Sequence, residues 1–173
     1  MAEPKKAVFR IVIDGTMEAV FRELTKTGEP QGAVFNSMLT LEAPGLVRGR
    51  KMQMRTPSGR HAVVVGEVVE HVAPTRFAHT HRFTQHDDPF CTVVYDLRKV
   101  EGGVEVTLTV ENIPAGTATG KEMMKGGDFI LKNLKAIVET GRPPFGTRLM
   151  YAMFGALEFV LPARTKSEHW PLK

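Results

Sequence analysis

A single cysteine, Cys91, leaves nothing to close an internal disulfide, so the fold must rest on packing alone. An unpaired thiol suits a reducing compartment, and the chain is expected to be cytoplasmic. No apolar signal core follows Lys5 and Lys6; a strand-like run begins at once. Nowhere do about 20 apolar residues run together, the length that a membrane-spanning helix needs, so no stable membrane insertion is expected. Charge of one sign is also scarce. The net charge is +4 over 173 residues, and the only tight basic cluster runs from Arg48 to Lys51, around Gly49. Nucleic-acid binders present a denser basic face interleaved with aromatics, so no nucleic-acid partner is expected. Also missing are a phosphate loop, a dinucleotide glycine motif and a Ser-His-Asp set; Gly102-Gly103 and Gly126-Gly127 lack the framing those motifs require. There is no internal repeat and no low-complexity segment.

What remains is ordinary folded composition, 42% apolar and 24% charged. Ala7 to Ile13 alternates and is β-branched, which predicts a strand. Asp14-Gly15 breaks it, Thr16 is placed to cap a helix, and Val20, Phe21 and Leu24 share one face of Met17 to Lys26. A short second helix or irregular turn is expected around Gly32 to Met38. From Leu39 to Glu111 the pattern is strands divided by turn chemistry: Ala43-Pro44-Gly45, then Thr56-Pro57-Ser58-Gly59, Ala73-Pro74-Thr75 and Glu101-Gly102-Gly103. In the last strand Val104, Val106, Leu108 and Val110 alternate with polar residues, as in a sheet with one buried face. A helix from about Thr119 to Thr140 follows, with Met123, Gly127, Ile130, Leu134 and Ile137 at helical spacing and Gly141 as its stop. That order predicts an α+β fold, a curved antiparallel sheet around one long C-terminal helix.

Three stretches make the pattern specific: Ile11 to Thr25 (IVIDGTMEAVFRELT), Gly66 to Phe77 (GEVVEHVAPTRF), and Leu131 to Lys135 (LKNLK) with Glu139-Thr140-Gly141 behind it. In this order they resemble the START-like, or SRPBCC, helix-grip superfamily, and within it the branch named for activators of a heat-shock-protein ATPase. The resemblance covers roughly residues 7 to 141. It implies a cavity between the long helix and the sheet that takes a lipid, aromatic or polyketide-like molecule. It also leaves open a cyclase, dehydratase or hydrolase acting there, and a co-chaperone or stress-response role. Family members often carry Trp where this chain has His81 and Gly127. The resemblance therefore implies a cavity that is larger and more polar on one side.

The residues that carry chemistry cluster at His79-Thr80-His81. On a strand, residues two apart share a face, so both imidazoles sit with Phe77 and Phe83. The expected lining of the cavity is Met54, Val65, Phe77, His79, His81, Phe83 and Tyr95 from the sheet, with Met123, Gly127 and Ile130 from the helical side. A largely apolar cavity needs only a few polar groups to orient its guest, and histidine can both donate and accept. His86, Asp87 and Asp88 supply metal-ligand types nearby, but a second well-placed cluster is lacking, so neither metal nor cofactor is assigned. The expectation is a binder of a small apolar molecule, a carrier or sensor rather than an enzyme.

Two units are expected: residues 1–142 as the helix-grip domain, and 143–173 as an apolar helical extension. Phe145 to Leu161 is interrupted only by Thr147, Arg148 and Glu158 among clearly polar side chains. A helix that apolar must be covered, by its own domain, by a second subunit in a homodimer or by a membrane surface; the first two are favoured, because its polar residues form no broad basic face.

Overall fold

The computed structural model describes residues 5–173. The lead-in at 1–4, read from the sequence as free of a signal core, lies outside the described residues. Strand β1 (Lys5–Ile13) runs into a turn where Thr16 Oγ1 accepts from the Ala19 amide at 3.1 Å. This satisfies an amide that the start of α1 (Met17–Thr25) would leave unpaired. That helix buries Val20, Phe21 and Leu24, the three residues its spacing puts on one face. Of the short helix or irregular turn expected around Gly32 to Met38, the structure has the turn, because Phe35 and Asn36 adopt positive φ (52° and 56°) and cannot continue a right-handed helix. The short β2 (Pro30–Gln31) precedes that turn and pairs with β3 (Ser37–Leu41), which follows it.

The sheet continues through β4 (Lys51–Arg55), β5 (Ala62–Val72), β6 (Arg76–Phe83), β7 (Cys91–Val100) and β8 (Gly103–Ile113). All neighbours are antiparallel, and the eight strands lie in the order β1-β8-β7-β6-β5-β4-β3-β2. The sheet curls into a half-barrel whose inner face holds the core. Gly66 permits one close approach within it: a Cβ there would stand 1.9 Å from the Thr80 carbonyl oxygen of β6.

The long helix expected from Thr119 to Thr140 is two. α2 (Ala118–Met123) stops before Met124, and α3 (Gly126–Thr140) starts on two successive glycines. Glycine is a poor helix former, and the break falls where the pair occurs. α3 ends as expected at Gly141, which has φ 87° and donates to Ile137 O at 2.8 Å. It buries Gly127, Leu131 and Leu134. Its far end is fastened to the end of β1: Lys135 Nζ donates to Val12 O (2.8 Å), and the Asp14 amide to Glu139 Oε1 (2.9 Å).

After Pro143-Pro144 comes α4 (Phe145–Ala156), which is shorter than the apolar tract from which it was expected. The tract continues as a 3-10 turn at Glu158–Val160, and two more turns follow at Ala163–Thr165 and Ser167–His169. Among the described residues no helix is long and apolar enough to cross a membrane. The segment folds back onto the β4–β5 hairpin. Glu158 accepts from Ser58 Oγ (2.5 Å), Thr56 Oγ1 (2.6 Å) and the Arg60 guanidinium (3.0 Å). Farther along, the Thr165 hydroxyl meets His61 Nδ1 at 2.9 Å, and the Trp170 carbonyl accepts from Gln53 Nε2 at 2.6 Å.

Burial alone would raise the Glu158 pKa, but the hydrogen bonds from Ser58, Thr56 and Arg60 outweigh it and hold the carboxyl below the usual glutamate range. A depressed folded-state pKa gives stability above the unfolded value, and that stability is lost as pH falls through the folded one. Glu158→Ala should therefore cost about 1–3 kcal/mol at neutral pH and speed amide exchange across residues 157–170, leaving β7 and β8 unchanged. Unchanged exchange in that segment would show that the carboxylate does not fasten it.

Candidate functional site

The inner face of β6 carries a continuous row of rings. Phe77 and His79 lie 5.4 Å apart between centroids, His79 and His81 5.9 Å, and His81 and Phe83 4.8 Å, the last pair edge to face. The strand period of two puts them on one side, as the sequence implies. Tyr95 stands opposite Phe77 on β7, its ring parallel at 6.5 Å. Met54 joins this face from β4 through its neighbour Val64, which pairs with Phe83. Met54, Phe77 and Tyr95 are core residues; Phe83, Met123 and Ile130 are partly buried and pack against that core.

Two expected lining residues sit differently. Val65 pairs with Arg82 and Gln53 and so lies on the opposite, outer face, the side onto which the Trp170 tail folds. Alternation along β5 decides this, because the adjacent Val64 points inward, between Met54 and Phe83. Gly127 is buried on α3 as expected, but a Cβ there would stand 2.1 Å from the Phe9 ring. The space expected from an indole-to-glycine exchange is occupied by that phenyl ring. Phe9 was not singled out in the sequence, where it is one apolar member of an alternating strand. Asn133 was also missed: it is buried on α3, its amide donates to Phe129 O at 2.8 Å, and its Oδ1 has no partner.

The imidazoles are the unusual feature. His79 and His81 are buried, with 1% and 8% of their surfaces exposed. Their cross-strand neighbours are apolar or sulfur: Val68 and Val93 beside His79, and Cys91 beside His81. His79 Nδ1 lies 2.9 Å from Thr80 O, so it carries the proton and donates, which leaves Nε2 as an acceptor. That Nε2 and both nitrogens of His81 have no hydrogen-bond partner. Leaving such groups buried and unpaired costs about 1–3 kcal/mol each, so their retention calls for a reason.

Desolvation dominates the electrostatics. Burial pulls His79 down to about 4, against a smaller opposing effect of the Thr80 hydrogen bond. Burial also pulls His81 down to about 3, helped by the neighbouring His79. Both rings are neutral at pH 7. Burial likewise pushes Cys91 up to about 11, so it is an unreactive thiol, and raises Tyr95 above the usual phenol range. The pair therefore offers one N–H and two acceptor nitrogens in apolar surroundings. This complements a neutral group that both donates and accepts, such as a hydroxyl.

Both aspartates on that strand end are engaged elsewhere: Asp87 pairs with Arg164 at 2.7 Å, and Asp88 accepts from the Thr119 amide at 3.1 Å. Among the described residues no three His, Cys, Asp or Glu side chains gather as a metal site. Two open clefts lie away from the imidazoles. One, of about 490 Å³, has Lys26, Gly32, Arg148 and Tyr151 among its walls; the other, of about 580 Å³, runs along Leu46–Arg48 and Val69–His71.

A helix laid into a curled antiparallel sheet, with a polar pair on an otherwise apolar inner face, defines a helix-grip domain of the START-like kind. The family described as Activator of Hsp90 ATPase homolog 1-like protein matches residues 4–139, and the chain belongs to that family, within the SRPBCC superfamily. Solved structures agree on the fold. A solution structure of an Aha1 dimer from Colwellia psychrerythraea is similar at 18% identity and TM-score 0.61, over 79% of this chain and 98% of that one. CalU16 from Micromonospora echinospora is similar at 15% and 0.62, over 92% and 89%. An HSP90 activator from Plasmodium falciparum is similar at 21% and 0.57, over 82% and 99%. No curated protein matches the chain.

Because folding depresses both imidazole pKa values, the unfolded chain takes up protons first. Stability should be full above about pH 6.5 and fall below it, by up to about 1.4 kcal/mol per pH unit for each histidine until its folded pKa is reached. Melting curves from pH 7 to pH 4.5 should show this slope, and His81→Leu should flatten it. An equal slope in the variant would contradict the buried neutral state.

Proposed function

We propose that this domain binds a small, largely apolar molecule carrying one hydroxyl-like group, between α3 and the inner face of the sheet, as a carrier or sensor. The observation that carries this is the buried His79–His81 pair with three ring nitrogens unpartnered. A guest whose hydroxyl meets those nitrogens removes the desolvation cost, while its apolar body packs among Phe77, Phe83 and Met54. Binding is favoured over turnover by the same chemistry. Imidazoles drawn down to about 4 and about 3 are weak bases at neutral pH, far from the match that general base catalysis prefers.

Native mass spectrometry of gently purified full chain, compared with its denatured mass, tests this reading. An excess of a few hundred daltons, lost on denaturation and reduced in His79→Leu/His81→Leu, is expected. A bare chain that stays bare after incubation with a hexane extract of cells would overturn it.

A further inference from the structure

α4 carries its most apolar stripe on the outside. Only Tyr151 among its residues is buried; its hydroxyl donates to Gly32 O at 2.8 Å and its ring meets Phe129 edge to face. Around the helix from Tyr151, Phe145, Leu149, Ala152 and Ala156 are all exposed and recur at intervals of four, three and four residues, with Ala152 also edging the open cleft beside Tyr151. That is the spacing of a coiled-coil seam, on a face that a surface helix would ordinarily make polar. Phe145 is 72% exposed and Leu149 62%, and just past the helix Phe159 reaches 82%. Met153 and Val160, 53% and 65% exposed, add two more large apolar side chains, where a standard-size interface takes ~800 Å² from each partner.

We infer that this seam is an interface with a second copy of the chain, the two α4 helices packed antiparallel. The order of residue sizes along it carries the inference: large, large, small, small. An antiparallel two-fold pairing sets Phe145 of one copy against Ala156 of the other, and Leu149 against Ala152, so every large side chain meets a small one. Such a contact is self-complementary, as a closed dimer requires. A parallel pair would crowd phenylalanine on phenylalanine and leave voids between alanines. Beyond the helix end, Phe159 extends toward Pro143-Pro144 of the other copy. A membrane surface fits less well: helices that lie on membranes back their apolar face with a broad basic one, and the only charge on α4 is Arg148. The seam contributes nothing to the imidazole pair, so the interface stands or falls separately from the ligand.

Sedimentation equilibrium of the full chain at micromolar concentration, with phosphatidylserine vesicles as a parallel arm, tests it. The chain should dimerise, and Leu149→Glu should be monomeric with a native circular dichroism spectrum. Ala152→Phe should weaken the dimer about ten-fold or more, because it fills the hole that Leu149 of the other copy needs. That variant adds apolar surface, so a non-specific patch would associate more tightly. A monomeric wild type, tighter association of Ala152→Phe, or vesicle binding by a monomer would each overturn the inference.

Discussion

The seating of α3 in the curled sheet is the contact on which the rest of the molecule depends. It removes the inner face from water, and the buried stripe of Gly127, Leu131 and Leu134 is what the sheet receives. Gly127 is the tightest point, since only a residue without a Cβ leaves room for the Phe9 ring. Lys135 and Glu139 then hold the helix to the end of β1, so its position is fixed by polar contacts at one end and by packing along its length.

The chemistry of the site follows from burial on that inner face. Two imidazoles in a wet groove would be ordinary histidines, half-charged near neutral pH. Buried on the inner face, with valines and a thiol as cross-strand neighbours, they are neutral and short of partners. Low basicity and unpaired nitrogens have the same cause, desolvation, and together they favour recognition of a neutral polar group over proton transfer. The indole-sized space at Gly127 is taken by Phe9, which leaves the β6 ring row as the polar side of the inner face.

Much of this was legible in the sequence, and the failures have physical reasons. The strands could be read because the turns between them are punctuated by Pro and Gly, as at Thr56-Pro57-Ser58-Gly59 and Glu101-Gly102-Gly103. His79 and His81 could be placed on one face from strand period alone. Their lack of partners could not, because it depends on Val68, Val93 and Cys91 arriving across the sheet in one particular register. Val65 was misplaced because Val63-Val64-Val65 shows no alternation. Such a run signals a strand covered on both faces, and the outer cover is supplied by a tail more than a hundred residues away in sequence. The break between α2 and α3 was hidden because the apolar spacing runs through it, from Met123 to Gly127 to Ile130, and periodicity records faces rather than continuity.

The most direct measurement is isothermal calorimetry with two probes of one shape, 2-naphthol and 2-methylnaphthalene, on the wild type and on His81→Leu. If the unpartnered imidazoles recognise a hydroxyl, the wild type binds the naphthol more tightly, by up to about ten-fold, and the variant loses that preference. Equal affinity for the two probes in the wild type, or a preference that survives in the variant, would contradict the account.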